Sequence, residues 1–102
     1  MNNREELQSK LEEMLGSRNV YFQPPRNVGI KYPCFIYHRA RPDVNFADDK
    51  AYRVVPHYTV TYIDSNPVNS MVDNMITEFQ MCTLERSYTA DNLNHEVFDL
   101  FY

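Results

Sequence analysis

The sequence predicts an α+β domain in which an antiparallel sheet of about four to five strands carries two helices on one face. The first observation is that residues 52–63 alternate with a period of two and are rich in aromatic and β-branched types, as strands are. The second is that two other segments repeat their apolar residues at steps of three and four, as amphipathic helices do. An apolar helix stripe must be covered, and a sheet face supplies that cover.

The chain is long enough for one core. With 102 residues it is predicted to form a single domain, 1–102. A hydrophobic fraction of 43% with a charged fraction of 24% is typical of folded proteins and argues against intrinsic disorder. No segment approaches the roughly 20 consecutive apolar residues of a membrane span, and the N-terminus lacks a secretory apolar region. We therefore expect synthesis in the cytoplasm and no membrane partner.

The N-terminal elements are a helix and a short strand. The helix is predicted over residues 3–15 and ends at Gly16, because glycine adopts the left-handed conformation that closes a helix. A short strand is predicted at residues 20–22, and it stops at Pro24 and Pro25. The apolar stripe of this helix consists of Leu7, Leu11, Met14 and Leu15.

Two longer strands are predicted in the middle of the chain. Residues 34–39 are apolar on both faces, which favours an interior position in the sheet. Residues 41–50 are polar and are predicted to form a long loop, a feature that usually has a function or is mobile. The strand 52–63 then pairs with the previous strand as an antiparallel hairpin.

A second helix is predicted to begin at Pro67, with the side chain of Asn66 capping its first amides. A further strand follows at residues 82–88, then a polar turn at 90–94, then a last strand at 95–102. The predicted order is therefore helix, three strands, helix, two strands. The stripe of the second helix consists of Val68, Met71, Val72, Met75, Ile76 and Phe79.

The sequence offers few residues for catalysis or metal binding. His38, His57 and His95 lie on different predicted strands, and their spacing does not require a zinc ion, so surface or interface positions are favoured over metal ligation. The carboxylates of the 41–50 loop could hold a divalent cation, but their order matches no calcium loop and a solvated loop tip is favoured. No glycine-rich phosphate loop is present, and Cys34 and Cys82 are expected to be buried thiols. We predict no cofactor, no metal and no enzymatic activity.

The composition points instead to contacts with other proteins. The net charge of −4 argues against general nucleic-acid binding, which depends on lysine and arginine. Eight tyrosines and six phenylalanines exceed what so small a core needs, and tyrosine is favoured at interfaces. Some of these aromatic residues are therefore expected to face a partner.

Two segments are candidate interfaces. The basic residues Arg39, Arg41, Lys50 and Arg53 bracket the long loop and could face an acidic partner; the favoured alternative is that they balance Asp43, Asp48 and Asp49 within the same hairpin. The second segment is the turn that contains Asp91, Asn92, Leu93 and His95. Aspartate and asparagine close turns by bonding to nearby amides, but Leu93 is apolar and would be better placed under a partner. Tyr58 and Tyr62 are further candidates if helices leave their face uncovered.

Several short motifs stand out over roughly residues 24–102, and they are turn and strand sequences rather than a catalytic signature. They are Tyr32-Pro33-Cys34 with Tyr37, Tyr58-Thr59-Val60-Thr61, Ile63-Asp64-Ser65-Asn66-Pro67, Tyr88 with Ala90-Asp91-Asn92-Leu93-Asn94-His95, and Val97-Phe98. As a set they resemble the tail terminator, or tail completion, proteins of tailed bacteriophages.

The resemblance implies a structural virion protein of the phage neck. Proteins of this family form a hexameric ring that caps the head-proximal end of the tail tube, ends its polymerisation and presents a surface to the head connector. The implied partners are other copies of the chain, the tail tube protein and connector or stopper proteins, while DNA passes through without sequence-specific binding. Ring closure requires a contact between two different faces of the subunit.

Three alternatives stay open at this point. The chain could be a head-side neck adaptor or stopper, which uses the same class of contacts with another partner. It could be a small enzyme that uses His57 or His95. It could also be a binding module that stays monomeric.

Overall fold

The computed structural model describes the backbone of residues 4–40, 43–47, 50–66 and 68–102, and the side chains of 4–40, 56–66 and 68–102. Two helices, α1 and α2, span Arg4–Leu15 and Met71–Glu78. The seven strands are β1 Val20–Phe22, β2 Cys34–Arg39, β3 Asp43–Ala47, β4 Lys50–Val55, β5 His57–Asp64, β6 Met81–Ala90 and β7 Leu93–Phe101. The α+β class and the predicted order of helices and strands are confirmed, with β3 added and the second central strand divided into β4 and β5.

Five strands form the main sheet in the order β1-β2-β5-β7-β6, and β3 and β4 form a separate pair. The prediction of a wholly antiparallel sheet is wrong at one position, because β1 and β2 are parallel with Val20 opposite Phe35. The chain after Phe22 returns to the start of β1 before β2 begins, and residues 23–33 are long enough for that return. The other pairs in this sheet are antiparallel.

Both helices cover the same face of the main sheet. The buried side chains of neighbouring strands lie opposite one another, for example Phe35 opposite Tyr62 and Val60 opposite Phe98. The helices add Leu7 and Leu11 from α1 and Met71 and Met75 from α2. The core formed in this way comprises Leu7, Leu11, Val20, Phe35, Tyr37, Tyr58, Val60, Tyr62, Met71, Met75, Phe79, Cys82, Phe98 and Leu100.

The two helix predictions had different outcomes. The first helix and its stop at Gly16 are confirmed: this glycine has φ +79° and its N–H donates to the carbonyl of Glu12 over 2.9 Å. The second helix begins at Met71 rather than at Pro67, which lies outside the described residues. The side chain of Asn66 accepts from the N–H of Val68 and that of Asn69 accepts from the N–H of Met71, both over 3.0 Å. These two side-chain turns use the amides that a longer helix would need.

The stripe of α2 is also narrower than predicted. Val68 precedes the helix and is 81% exposed, and Ile76 is 47% exposed. Met71, Met75 and Phe79 are the stripe residues that reach the core, with Val72 packed at its margin.

The predicted strand 52–63 and the predicted loop 41–50 both require correction. The strand is divided at Pro56 into β4 and β5, and the loop contains β3 and the first residue of β4. Proline has no N–H for a strand ladder, so it marks the division. The polar sequence of residues 41–50 hid β3, because strand prediction depends on apolar alternation.

The last two strands form a tight hairpin. Their turn contains two residues, Asp91 and Asn92, rather than the predicted 90–94, and both have positive φ, 53° and 61°. Positive φ at both central positions is the geometry of a type I′ turn, whose twist matches that of the flanking strands. The ladder shifts between Leu84 and Arg86, so β6 contains a bulge.

Candidate functional site: an arm and an open sheet edge

The β3–β4 hairpin, called the arm below, extends the pair formed by β2 and β5. Arg39 lies opposite Tyr58, and the N–H of Ala40 donates to the carbonyl of His57 over 2.8 Å. Pairing resumes with Asp43 opposite the last residue of β4 and runs on to Ala47 opposite Lys50. The arm therefore leaves the main sheet at its His57 end, and five strand residues correspond to about 16 Å of additional length.

The arm is a two-stranded ribbon. Within the described residues, β3 and β4 pair with each other and with no strand of the main sheet. The molecule measures 49 × 26 × 23 Å, and its radius of gyration of 14.6 Å exceeds the value of about 13 Å expected for a compact chain of this length. An isolated two-stranded hairpin is marginally stable in water, so the arm gains from any surface that covers it or adds a strand.

The predicted interface residues of the 41–50 segment lie at or beside the arm. Arg39 is exposed at the end of β2; its backbone N–H donates to Oε1 of Gln23 over 3.2 Å, and its guanidinium lies 5.8 Å from the ring centre of Phe22. Lys50 is the first residue of β4. Arg41, Asp48 and Asp49 fall outside the described residues, as do the side chains of Asp43, Lys50 and Arg53. The contact of these basic residues with a partner, and the alternative that they balance the carboxylates of the hairpin, stay predictions.

The second predicted segment lies at the opposite end of the sheet. Asp91 and Asn92 are exposed in the turn, and Leu93 is half-buried at the start of β7. The ring of His95 stacks on that of Tyr88 with 4.6 Å between centres, and its Nδ1 lies 3.1 Å from the carbonyl oxygen of Leu93. Because β5 runs the length of the sheet over eight residues, the two predicted segments are about 23 Å apart. They do not form one site.

The outer edge of β6 is a surface that the sequence did not indicate. This strand has ten residues and lies at the end of the strand order, so within the described residues its outer side has no strand partner. Cys82 is its one buried residue, while Met81, Leu84 and Tyr88 are 42%, 39% and 43% exposed. The available signal was these three apolar residues in a segment that alternates only weakly. An edge of this length and composition is able to accept another strand.

The opposite edge of the sheet is protected. β1 has three residues, and the side-chain amide of Gln8 on α1 donates to the carbonyl of Val20 over 3.0 Å. A helix side chain thus occupies one of the few backbone groups that this edge offers. Short edge strands and covered edges both hinder pairing with another chain.

The three histidines do not converge. On the sheet face away from the helices, Nε2 of His57 lies 3.1 Å from Oδ1 of Asp99, and its ring stacks on Phe101 with 4.2 Å between centres. His95 stacks at the other end of the sheet, and His38 is exposed on β2. The described residues contain no group of three or more His, Cys, Asp or Glu side chains placed to hold a metal ion. Tyr58 and Tyr62 lie in the core. They were interface candidates only if the helices left their face uncovered, and that condition is not met.

A carboxylate pair lies near the turn end of the sheet. Oε2 of Glu96 is buried and has no hydrogen-bond partner, although Asn69 bonds to this side chain. Desolvation raises the pKa of Glu96 and outweighs the hydrogen bond from Asn69, which lowers it, and the nearby charge of Asp64 raises it further. The hydroxyl of Tyr62 donates to Oδ2 of Asp64 over 2.7 Å. The bond from Asn69 links the segment before α2 to Glu96 on β7.

The two cysteines are free and buried, as predicted. Desolvation raises the pKa of both thiols to about 11. At neutral pH the described structure therefore holds them as neutral thiols, which are poor nucleophiles.

Neither helix in the described part of the chain is long and apolar enough to cross a membrane. Comparison of the chain with protein-family models, with curated proteins and with solved structures gave no match.

Proposed function

We propose that this protein is a structural subunit of the neck of a tailed bacteriophage, a tail terminator that assembles into a ring on the tail tube. In this role the ring ends tube polymerisation and joins the tail to the head connector. Its partners are other copies of the chain, the tail tube protein and the connector or stopper proteins. The protein is made in the host cytoplasm and functions in the virion.

The observation that carries this proposal is the arm. In the part of the chain that the structure describes, this two-stranded ribbon pairs with no further strand, whereas hairpins in water depend on an additional strand or a packed helix. A neighbouring subunit supplies that cover. The same feature is difficult to explain in a small enzyme or in a monomeric binding module, since neither role requires an arm that leaves the domain.

The distribution of surfaces is compatible with a ring. The arm leaves one end of the sheet, and the turn with Asp91 and Asn92 lies at the other, about 23 Å away by strand length. A contact that joins two different faces of identical subunits repeats around an axis and closes when the rotation allows it. A hexamer is the number that the family resemblance implies.

The acidic balance of the chain suits a ring through which DNA passes. A net charge of −4 per subunit limits attraction to phosphates, so DNA would slide rather than adhere. This part of the proposal fails if the residues that line the lumen of the assembled ring are mainly lysine and arginine.

The experiment is a mass measurement on the purified protein, followed by electron microscopy with tail tubes. Light scattering at increasing concentration is expected to give a mass near six times the 12.1 kDa of one chain, and micrographs should show rings at one end of added tubes. A mass of 12.1 kDa at high concentration and in the presence of tubes contradicts the proposal.

The terminator and adaptor roles are separated by removing the protein from the phage that encodes it. Overlong tubes indicate that the protein ends polymerisation. Tails of normal length that are detached from full heads indicate a joining role, which would favour an adaptor or stopper.

A further inference from the structure

We propose that the arm of one subunit pairs with the outer edge of β6 in the next copy, so that the main sheet continues from subunit to subunit. This inference rests on the proposed self-assembly and identifies the two surfaces that meet. The partner that fits the β6 edge is thus a second copy of this chain, which contributes β3 or β4 as an added strand.

The β6 edge has the features of a strand acceptor. It offers ten residues of backbone, and the side chains of Met81, Leu84 and Tyr88 are each about two-fifths exposed. Edge strands of monomeric proteins are usually protected by lysine, proline or short length, and β6 has none of these. Its protective features are the bulge at Glu85 and the exposed charges of Glu85 and Arg86, and the ladder is uninterrupted on either side of them.

The β1 edge is a poor alternative acceptor. It presents three residues, and the carbonyl of Val20 already accepts a hydrogen bond from Gln8. Pairing between two β6 edges is also unfavourable for the proposed function, because a contact of like with like closes as a dimer and does not continue into a ring.

The arm has the features of a strand donor. Its strands of five and six residues match the length of a typical added strand, and in the described ranges each has one strand neighbour. Its register places apolar residues opposite one another, Val44 with Val54 and Phe46 with Ala51. Main-chain hydrogen bonds to β6 would satisfy one side of the arm, and apolar contact with Met81 and Leu84 would add to them.

The test uses one variant that lacks the arm and one whose edge is blocked. In the armless variant, Asn-Gly replaces residues 41–56 and joins Ala40 to His57, which are already hydrogen-bonded across the hairpin. Two residues of this type form a type I′ turn, so the β2–β5 register is kept. In the edge variant, Met81→Lys and Leu84→Lys place two charges along β6. Val28→Lys with Tyr32→Lys is the matched control, with the same added charge at exposed positions in the connection between β1 and β2, on the other side of the sheet from β6.

The expected result is complementation. The control should assemble like the wild type, whereas the armless and edge variants should each remain monomeric in light scattering. An equimolar mixture of the two should form a one-to-one dimer and nothing larger, because it contains one intact arm–edge pair. Circular dichroism and cooperative thermal unfolding establish that each variant is folded.

A hydrogen-exchange measurement on the wild type avoids any dependence on the folding of variants. Amides in 43–55 and 81–90 should become protected together when dilute protein is concentrated. Assembly of the wild type without joint protection, an armless variant that still assembles, or a mixture that stays monomeric would each overturn the arm–edge contact and leave the ring standing. A wild type that never assembles would instead overturn the proposed function.

Discussion

The hydroxyl of Tyr37 on β2 donates a hydrogen bond to Oε1 of Gln8 on α1 over 2.5 Å. The same hydroxyl accepts from the guanidinium of Arg4 over 3.2 Å, and Gln8 also bonds to the carbonyl of Val20. The side chain of Tyr37 is fully buried and joins β2 to α1, and Gln8 in turn joins α1 to β1. Burial raises the pKa of Tyr37, so the phenol remains a donor at neutral pH.

Removal of this hydroxyl should destabilise the fold. Tyr37→Phe deprives Gln8 of its donor inside the protein, and we expect the free energy of unfolding to fall by about 1–3 kcal/mol in urea titrations. Tyr21→Phe is the control, because that hydroxyl accepts from the N–H of Lys31 at an exposed site, and its loss should cost less than about 0.5 kcal/mol. Equal losses for the two variants would show that the Tyr37–Gln8 bond does not contribute specially to stability.

Most helices and strands of the main sheet could be predicted because their signals are local. The stripe of α1 and the termini of β2 follow directly from residue spacing, and the structure keeps both. The start of α2 was missed because Asn66 and Asn69 both offer side-chain oxygens, and spacing does not say whether they cap a helix or hold turns before it. Strand direction at β1 depends on the path of residues 23–33, for which sequence has no simple signal.

The candidate site was only partly predictable. Its location on the 41–50 segment followed from polar composition. The strand pairing of the arm did not, because this polar segment has little alternation of apolar residues. The β6 edge was missed for a different reason. Edge exposure is set by the order of strands in the sheet, and that order emerges only when β7 inserts between β5 and β6.

The narrowed stripe of α2 gives a second prediction. Met75 is fully buried and the adjacent Ile76 is 47% exposed. Met75→Ala leaves a cavity beneath the helix, so we expect the free energy of unfolding to fall by about 2–5 kcal/mol. Ile76→Ala removes a side chain of similar size from the surface and should cost less than about 1 kcal/mol. Chemical denaturation of both variants checks the pair, and a larger loss at Ile76 would contradict the helix orientation.

Burial of the cysteines leads to a third prediction. With the thiol pKa raised to about 11, thiolate at pH 8 is reduced about 100-fold relative to an ordinary cysteine, before any steric protection is counted. A colorimetric thiol reagent should therefore label Cys34 and Cys82 at least 100-fold more slowly in native protein than in urea. Tyr32→Cys places a thiol at a 47% exposed position and should react at once. Rapid native labelling of the wild type would show that one of the two cysteines is accessible.

The same burial affects stability at high pH. The folded thiol pKa lies above the unfolded value, so this contribution to stability is complete below about pH 8.5 and is lost as the pH rises toward 11. Thermal unfolding temperatures should fall over that window. Replacing both cysteines with alanine should reduce the fall, even if the variant is less stable at pH 7.

The last prediction concerns Glu96, whose ionised side chain lowers the stability of the folded state because it is partly buried. Its Oε2 is buried without a hydrogen bond. Desolvation raises its pKa, with a smaller contribution from the charge of Asp64, and outweighs the opposing hydrogen bond from Asn69. A carboxyl whose pKa is higher in the folded state favours folding when it is protonated. Its contribution is therefore complete at a pH below the ordinary glutamate value of about 4.3, and it is lost as the pH rises through the folded pKa.

Glu96→Gln should keep the shape of this side chain and remove its charge at every pH. We expect the variant to unfold a few degrees above the wild type at pH 7, with the difference shrinking as the buffer is taken below about pH 4.3, where the wild-type carboxyl is also neutral. Glu13→Gln changes an exposed glutamate on α1 and controls for the altered net charge. If Glu96→Gln lowered the unfolding temperature at pH 7, Glu96 would have to be stabilised as a carboxylate, through Asn69 or another donor, and the cost assigned to its burial would be wrong.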